Sequence, residues 1–406
     1  MSEQESGFRV SVVAPYAEGA IVEYARWAER CGNLVSFWLP SRGLTSGLAK
    51  IVPGARGASI RSRLTRGTDQ VARVRTIAPA LEIIRLLSRS PLLRSFAPSA
   101  MDHYKRVFDR AVSRRFVAGD AVVAMPGAAE ETFKRSAGAV KVLHAVDGHP
   151  RAVNELLRST FGSAAEREIV PDRRVAQIER ELASADIVIV PSDLKRQQYI
   201  EYGVDSRRLV TAPYGVDLRR FFPSGDDEVD RIRPVLLYVG QISYRKGVPL
   251  LIDAARGLDV DVAMIGPVVQ PALLRSLPLN ITHQGAIAPE ALNHQMNRSD
   301  ALVLPSLEDA FGLVVLEALA AGLPVFTTDE TGAAEVIGVQ DGLVLPAGDR
   351  ERLRTAIAAT PILKASERRA RAERVRATGG GRTWRHFTTT IDDAIVAARA
   401  TQEGEA

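Results

Sequence analysis

The chain has 406 residues, 46% of them hydrophobic and 25% charged, with a formal net charge of +5. That length exceeds one ordinary core and suits two domains of about 150–200 residues each, and the balance excludes a disordered chain. The single cysteine, Cys31, excludes an internal disulfide framework and fits a small core residue in a reducing compartment.

Met1–Gly7 is polar and lacks the basic-then-apolar order of a signal peptide. No apolar run approaches the roughly 18–20 residues of a spanning helix, so a cytoplasmic protein is expected. Phe8–Pro15 reads as a first strand, Ala17–Arg30 as a helix and Val35–Pro40 as a second strand. Arg56–Arg115 is rich in arginine and poor in acids, and includes Leu81–Phe96 (LEIIRLLSRSPLLRSF). It reads two ways: as a face lying on an anionic membrane to meet a lipid-linked acceptor, peripheral on the inner leaflet, or as a helix pair with snorkelling arginines. Asp120–Ala124, Val140–Val146 and Asp186–Pro191 are continuous apolar runs of the kind buried on both faces of a parallel sheet. Met101–Phe116 and Arg173–Ser184 are helical stretches between them.

Phe222–Arg233 (FPSGDDEVDRIR) is acidic and broken by proline and glycine, the mark of a surface linker. A second series follows: strands at Val235–Val239, Val260–Ile265, Ala301–Leu304 and Pro324–Thr327, and a helix at Pro249–Arg256. Thr383–Ala400, after Gly379–Gly381, reads as one amphipathic helix. The alternation predicts an α/β protein of two Rossmann-like domains with parallel sheets: 1–215, a linker 216–233, 234–380, and a last segment 381–406.

The strongest chemical signal is Ala301–Gly322 (ALVLPSLEDAFGLVVLEALAAG). A buried strand ends at Pro305, a polar loop follows, and a helix starts near Phe311–Gly312. Helix N-termini at the carboxyl ends of parallel strands present free N–H groups and a positive dipole, which suits phosphate. Asp309 and Glu317 flank the turn, and carboxylates accept hydrogen bonds from sugar hydroxyls. The plainer reading is a solvated aspartate and a surface glutamate, but Glu317 sits in an apolar helix where an unpaired carboxylate is costly. Tyr238–Gly247 (YVGQISYRKG) places a glycine and then Arg245–Lys246 directly after a strand, offering cations to a diphosphate. The plainer reading there is a basic surface loop. Asp259–Val260–Asp261 precedes a strand and reads as a turn. The histidines and the cysteine have no zinc spacing, and no nucleic-acid-binding motif appears.

Read together, Gly240–Gly247, Ser306–Ala318, Ala185–Ser192, Tyr214–Asp217, Gly266, Gly285, Thr331–Ile337 and Asp341–Val344 resemble the retaining family-4 glycosyltransferases of the GT-B fold. The resemblance is close in the C-terminal half and architectural in the N-terminal half. It implies a nucleoside-diphosphate sugar donor, bound by the C-terminal domain, and a glycan or lipid-linked hydroxyl acceptor on the N-terminal one. No metal or other cofactor is expected, and no nucleic-acid partner. The last helix is implied to cross back to the N-terminal domain. By the same resemblance Lys246 and the backbone at Gly312 and Leu313 contact the diphosphate, Glu317 the ribose, Asp309 the sugar, and the Gly285–Ile287 region the base. Gly19, Gly240, Gln241, Arg245, Gly266, Ile287 and Phe311 complete the expected donor site. His149, beyond the strand that ends near His144, is expected to join Lys246 and Asp309 as a catalytic residue. Gln241 stands where the family usually has arginine, Asp309 where it has glutamate, Tyr214 where it has asparagine, and Gly19 where it has a glycine pair. An epimerase or phosphorylase of the same fold, or a non-catalytic sugar-nucleotide binder, are the alternatives.

Overall fold

A computed structural model of the chain describes residues 7–17, 19–40, 71–77, 97–224, 231–377 and 383–405. Runs such as Ile187–Val190 (IVIV) and Ala301–Leu304 (ALVL) are apolar at every position, so both faces must be covered by helices. The structure has two parallel sheets that do this. The seven-stranded sheet has the order β3-β2-β1-β4-β5-β6-β7. Its strands are β1 (Val10–Val13), β2 (Leu34–Leu39), β3 (Val74–Thr76), β4 (Ala121–Ala124), β5 (Val140–His144), β6 (Ile187–Val190) and β7 (Leu209–Thr211). The six-stranded sheet has the order β10-β9-β8-β11-β12-β13. It comprises β8 (Val235–Val239), β9 (Asp261–Ile265), β10 (Ile281–His283), β11 (Ala301–Leu304), β12 (Val325–Thr328) and β13 (Gly342–Leu345).

Both sheets are doubly wound. Each starts in the middle, proceeds to one edge, and then returns to the other side of its first strand. The order therefore reverses between β1 and β4 and between β8 and β11, where a crevice opens at the carboxyl ends of the strands. The central strands are those expected from the sequence. The edge strands β3, β7 and β10 are only three residues long and partly exposed, and so lack the continuous apolar run that betrays a buried strand.

The last helix, Trp384–Glu405, leaves the C-terminal domain and packs on the Ala20–Arg30 helix and near β5 and β6 of the N-terminal one. Its Phe387, Ile391 and Ile395 are fully buried there. Between the two helices Asp392 accepts hydrogen bonds from Tyr24 Oη (2.9 Å) and Trp27 Nε1 (2.7 Å). Leu81–Phe96, residues 225–230 of the linker and Gly379–Gly381 lie outside the described residues.

Candidate functional site

The two switch points face each other across a cleft of about 2430 Å³. The N-terminal wall carries Tyr16, Gly19 and Ala20 after β1, Met125 after β4 and Val146 after β5. The opposite wall carries Gly240 and Gln241 after β8, Gly266 to Gln270 after β9, Ala286 to Ala288 after β10, and Leu313 and Glu317. Two helices point their N-termini into this space. The Ala20–Arg30 helix begins at Gly19, with φ of 60° and no side-chain cap, and a Cβ at Gly19 would meet nothing within 4 Å. The Leu313–Ala320 helix begins at Gly312, in the left-handed conformation and likewise without a side-chain cap. Each end thus offers backbone N–H groups and a partial positive charge from its own domain.

The loop after β8 is pressed onto the end of β11. Gly247 has φ of 66°, and a Cβ there would lie 1.7 Å from the Pro305 carbonyl oxygen, so no other residue permits this approach. Lys246 is thereby brought to Asp309, Nζ to Oδ2 2.7 Å, with 12% and 14% of the side chains exposed. Glu317 stands on the cleft side of the Leu313–Ala320 helix, whose other residues from Val314 to Ala320 are buried.

Charges also cross between the domains. Arg245 Nη1 lies 3.1 Å from Asp147 Oδ1 of the N-terminal domain and 3.0 Å from Glu308 Oε2. Glu308 Oε1 in turn lies 3.0 Å from Lys195 Nζ of the N-terminal domain, and this pair is 1% and 0% exposed. Ser192 Oγ, next to that lysine, donates to the Ala310 carbonyl at 3.0 Å. Although burial pushes the Arg245 guanidinium down, Asp147, Glu308 and Asp309 hold it above its ordinary value.

Of the residues expected from the sequence, Gly19, Gly240, Gln241, Gly266, Ile287, Leu313 and Glu317 line the cleft. Lys246, Asp309 and Gly312 are not among the lining residues; they lie in the paired loop and the helix cap, next in sequence to the lining residue Leu313 in the case of Gly312. Three more of the expected residues lie off the cleft lining and have other partners. Arg245 does not face the cleft, because its guanidinium is taken by Asp147 and Glu308. Phe311 is a core residue, edge-on to Tyr214 with ring centroids 5.1 Å apart. His149 does not line the cleft either. It caps the Pro150–Phe161 helix, its N–H donates to Gln198 Oε1 at 2.8 Å, and its ring stacks on Tyr202 at 4.7 Å. Burial pushes its pKa down to about 4, with Arg151 adding to the effect. His144, also buried, is 3.1 Å from Tyr214 Oη and is pushed down to about 3. Sequence reading missed Asp147, Glu168 and Lys195; only Glu308, adjacent to Asp309 in the motif, carried a signal.

Residues 226–375 match the family model described as Glycosyl transferases group 1. A D-inositol 3-phosphate glycosyltransferase of Geodermatophilus obscurus is 32% identical over 266 residues, which span 57% of this chain and 56% of the relative. A GDP-mannose-dependent alpha-mannosyltransferase of Mycobacterium tuberculosis is 32% identical over 182 residues, 43% of this chain and 48% of the relative. The chain thus spans about half the length of these curated relatives. Among solved structures, Anabaena Alr3699/HepE in complex with UDP and glucose superposes with a TM-score of 0.65 at 16% identity, over 96% of this chain and 100% of that one. The sucrose-phosphate synthase of Thermosynechococcus elongatus gives 0.60 at 16% identity, over 98% of both chains. The chain has the GT-B fold, and within it residues 226–375 are a match to the group 1 glycosyl transferases.

Proposed function

We propose that the protein transfers a sugar from a nucleoside-diphosphate donor to a hydroxyl acceptor, with retained anomeric configuration, in the manner of the family-4 glycosyltransferases. The observation that carries this reading is the pair of uncapped helix N-termini, at Gly19 and Gly312, aimed into one interdomain cleft beside Glu317. A diphosphate lying between them gains hydrogen bonds and dipole stabilisation from both domains. Glu317 then accepts from the ribose hydroxyls, and the strand ends near Gly266 and Ile287 flank the base. Lys246 turns from Asp309 to the phosphate, leaving Asp309 for the sugar hydroxyls. As the donor bond breaks, negative charge grows on the leaving diphosphate, and the ammonium favours that state over the ground state.

The acceptor takes the N-terminal wall around Tyr16, Met125 and Val146. There Lys105 Nζ stands 5.2 Å over the Tyr16 ring, its amine lowered to about 7 by burial and then by Arg174. No helix among the described residues is long and apolar enough to cross a membrane. For a lipid-linked acceptor, the arginine-rich sequence Leu81–Phe96 is the candidate for contact with an anionic surface.

The test is a thermal-shift screen of UDP, GDP and ADP and of their hexoses, followed by product analysis. A nucleotide at 100 times its Kd adds about 2.7 kcal/mol of stability. One base should stabilise the protein, and its sugar should be hydrolysed slowly or transferred. Binding without either reaction would favour a non-catalytic sugar-nucleotide binder. No shift with any nucleoside diphosphate would remove the donor reading.

A further inference from the structure

Glu168 closes the 3-10 turn Gly162–Glu168 of the N-terminal domain, beside residues that line the cleft. Its carboxylate reaches the C-terminal domain. Oε1 accepts from the Tyr244 backbone N–H (2.8 Å) and from Gln270 Nε2 (3.0 Å), and Oε2 accepts from the Arg245 backbone N–H (2.9 Å). Two successive N–H groups converging on one anion form a nest, which binds negative charge through aligned backbone dipoles. This nest is filled by an acid from the other domain, and the next residue along the loop is Lys246. The Arg245 guanidinium meets a second N-terminal acid, Asp147. Acids of the opposite domain therefore hold the loop by its backbone and by a side chain.

We propose that Glu168 is a positioning residue for the donor site. Seating its carboxylate in the Tyr244–Arg245 nest fixes the loop so that the Lys246 ammonium stands ready for the leaving diphosphate only when the two domains are engaged. This rests on the reading of the cleft as a nucleotide-sugar site. The physical ground is that Lys246 then has only to exchange Asp309 for the phosphate, without movement of the loop that carries it, and charge-assisted hydrogen bonds to the loop backbone supply that rigidity. A glutamine in place of Glu168 has the same size but one acceptor oxygen, and turns an N–H₂ group toward a backbone N–H. Half-buried in a surface turn, the position tolerates such a change.

Two measurements on the full chain test this. In the unliganded protein, Glu168→Gln should speed amide exchange at Tyr244 and Arg245 by about tenfold, a local opening that leaves the sheet amides unchanged. Unaltered exchange at both amides would overturn the proposal, whatever the protein transfers. With a nucleotide sugar that the wild type turns over, Glu168→Gln should lower kcat by about tenfold and shift donor KM by less than about twofold. In a Lys246→Ala background the same change should cost less than about twofold, because the residue acts through the lysine. Equal losses in both backgrounds would make Glu168 a plain interface residue and overturn the proposal. If the wild type turns over no nucleotide sugar, the donor reading falls, and the exchange rates still decide whether Glu168 fixes the loop.

Discussion

Gln241 lines the cleft without a charge and Arg245 is held by Asp147 and Glu308, so Lys246, paired with Asp309, is the cation of this loop proposed for a diphosphate. Lys246→Ala should therefore lower kcat by about 100-fold, the scale of losing one preorganised electrostatic group, and weaken donor binding less. Turnover kept by Lys246→Ala but lost by Arg245→Ala would reverse that assignment. Glu317→Ala should weaken donor and free nucleoside diphosphate alike, by about 1.5–3 kcal/mol for a charged hydrogen bond to ribose; unchanged affinity by calorimetry would take Glu317 out of the site. These residues were legible because each lies within a few positions of a strand end and a glycine, where local sequence sets direction. His149 was not legible in that way. It has the right place after β5, but its ring is held by Tyr199 and Tyr202 and its backbone N–H by Gln198, all from a helix and its cap about fifty residues onward. The N-terminal acids that hold this loop, Glu168 by its backbone and Asp147 by the Arg245 side chain, were hidden for the same reason: a contact between distant residues leaves no period in the sequence.

At the scale of elements, the central strands and the helix behind Gly312 were legible, because an apolar run bounded by glycine or proline permits little else. The Trp384–Glu405 helix was legible as a helix, but not its polar partnership with Ala20–Arg30. Asp392 is the seam of that pairing, and burial pushes its carboxyl up from 3.8 to about 6. The folded state thus holds a proton that the unfolded state releases between about pH 4 and 6, so the stability this group contributes is lost as pH rises through that window. Asp392→Asn loses one acceptor but no longer titrates. Its melting temperature should fall below that of the wild type at pH 5, and the gap should narrow by pH 7.5. A gap that widens would mean the carboxylate is favoured in its charged form.

For the whole molecule, the two domains are joined by a buried ion pair as well as by the chain. Lys195→Met leaves Glu308 buried without its N-terminal partner and should destabilise the protein by about 3–5 kcal/mol. Adding Glu308→Leu should recover much of that loss, since an apolar pair of similar volume is often neutral or better. Denaturant midpoints of the two variants would decide it, and equal midpoints would show that the pair contributes little.

The return of the Trp384–Glu405 helix to the N-terminal domain also sets an order of events during synthesis. A ribosome delivers residues 231–377 as one uninterrupted block, so the six-stranded sheet can close as soon as it emerges. The seven-stranded sheet is made earlier, yet the ring hydrogen-bond donors of Tyr24 and Trp27 and the apolar face beneath Phe387, Ile391 and Ile395 wait for the Trp384–Glu405 helix. The domain begun first is therefore completed after the second. A nascent chain arrested before Trp384 should show a protease-resistant C-terminal block beside a readily cleaved N-terminal one, and in the cell it is the older half that needs guarding until the Trp384–Glu405 helix has been made.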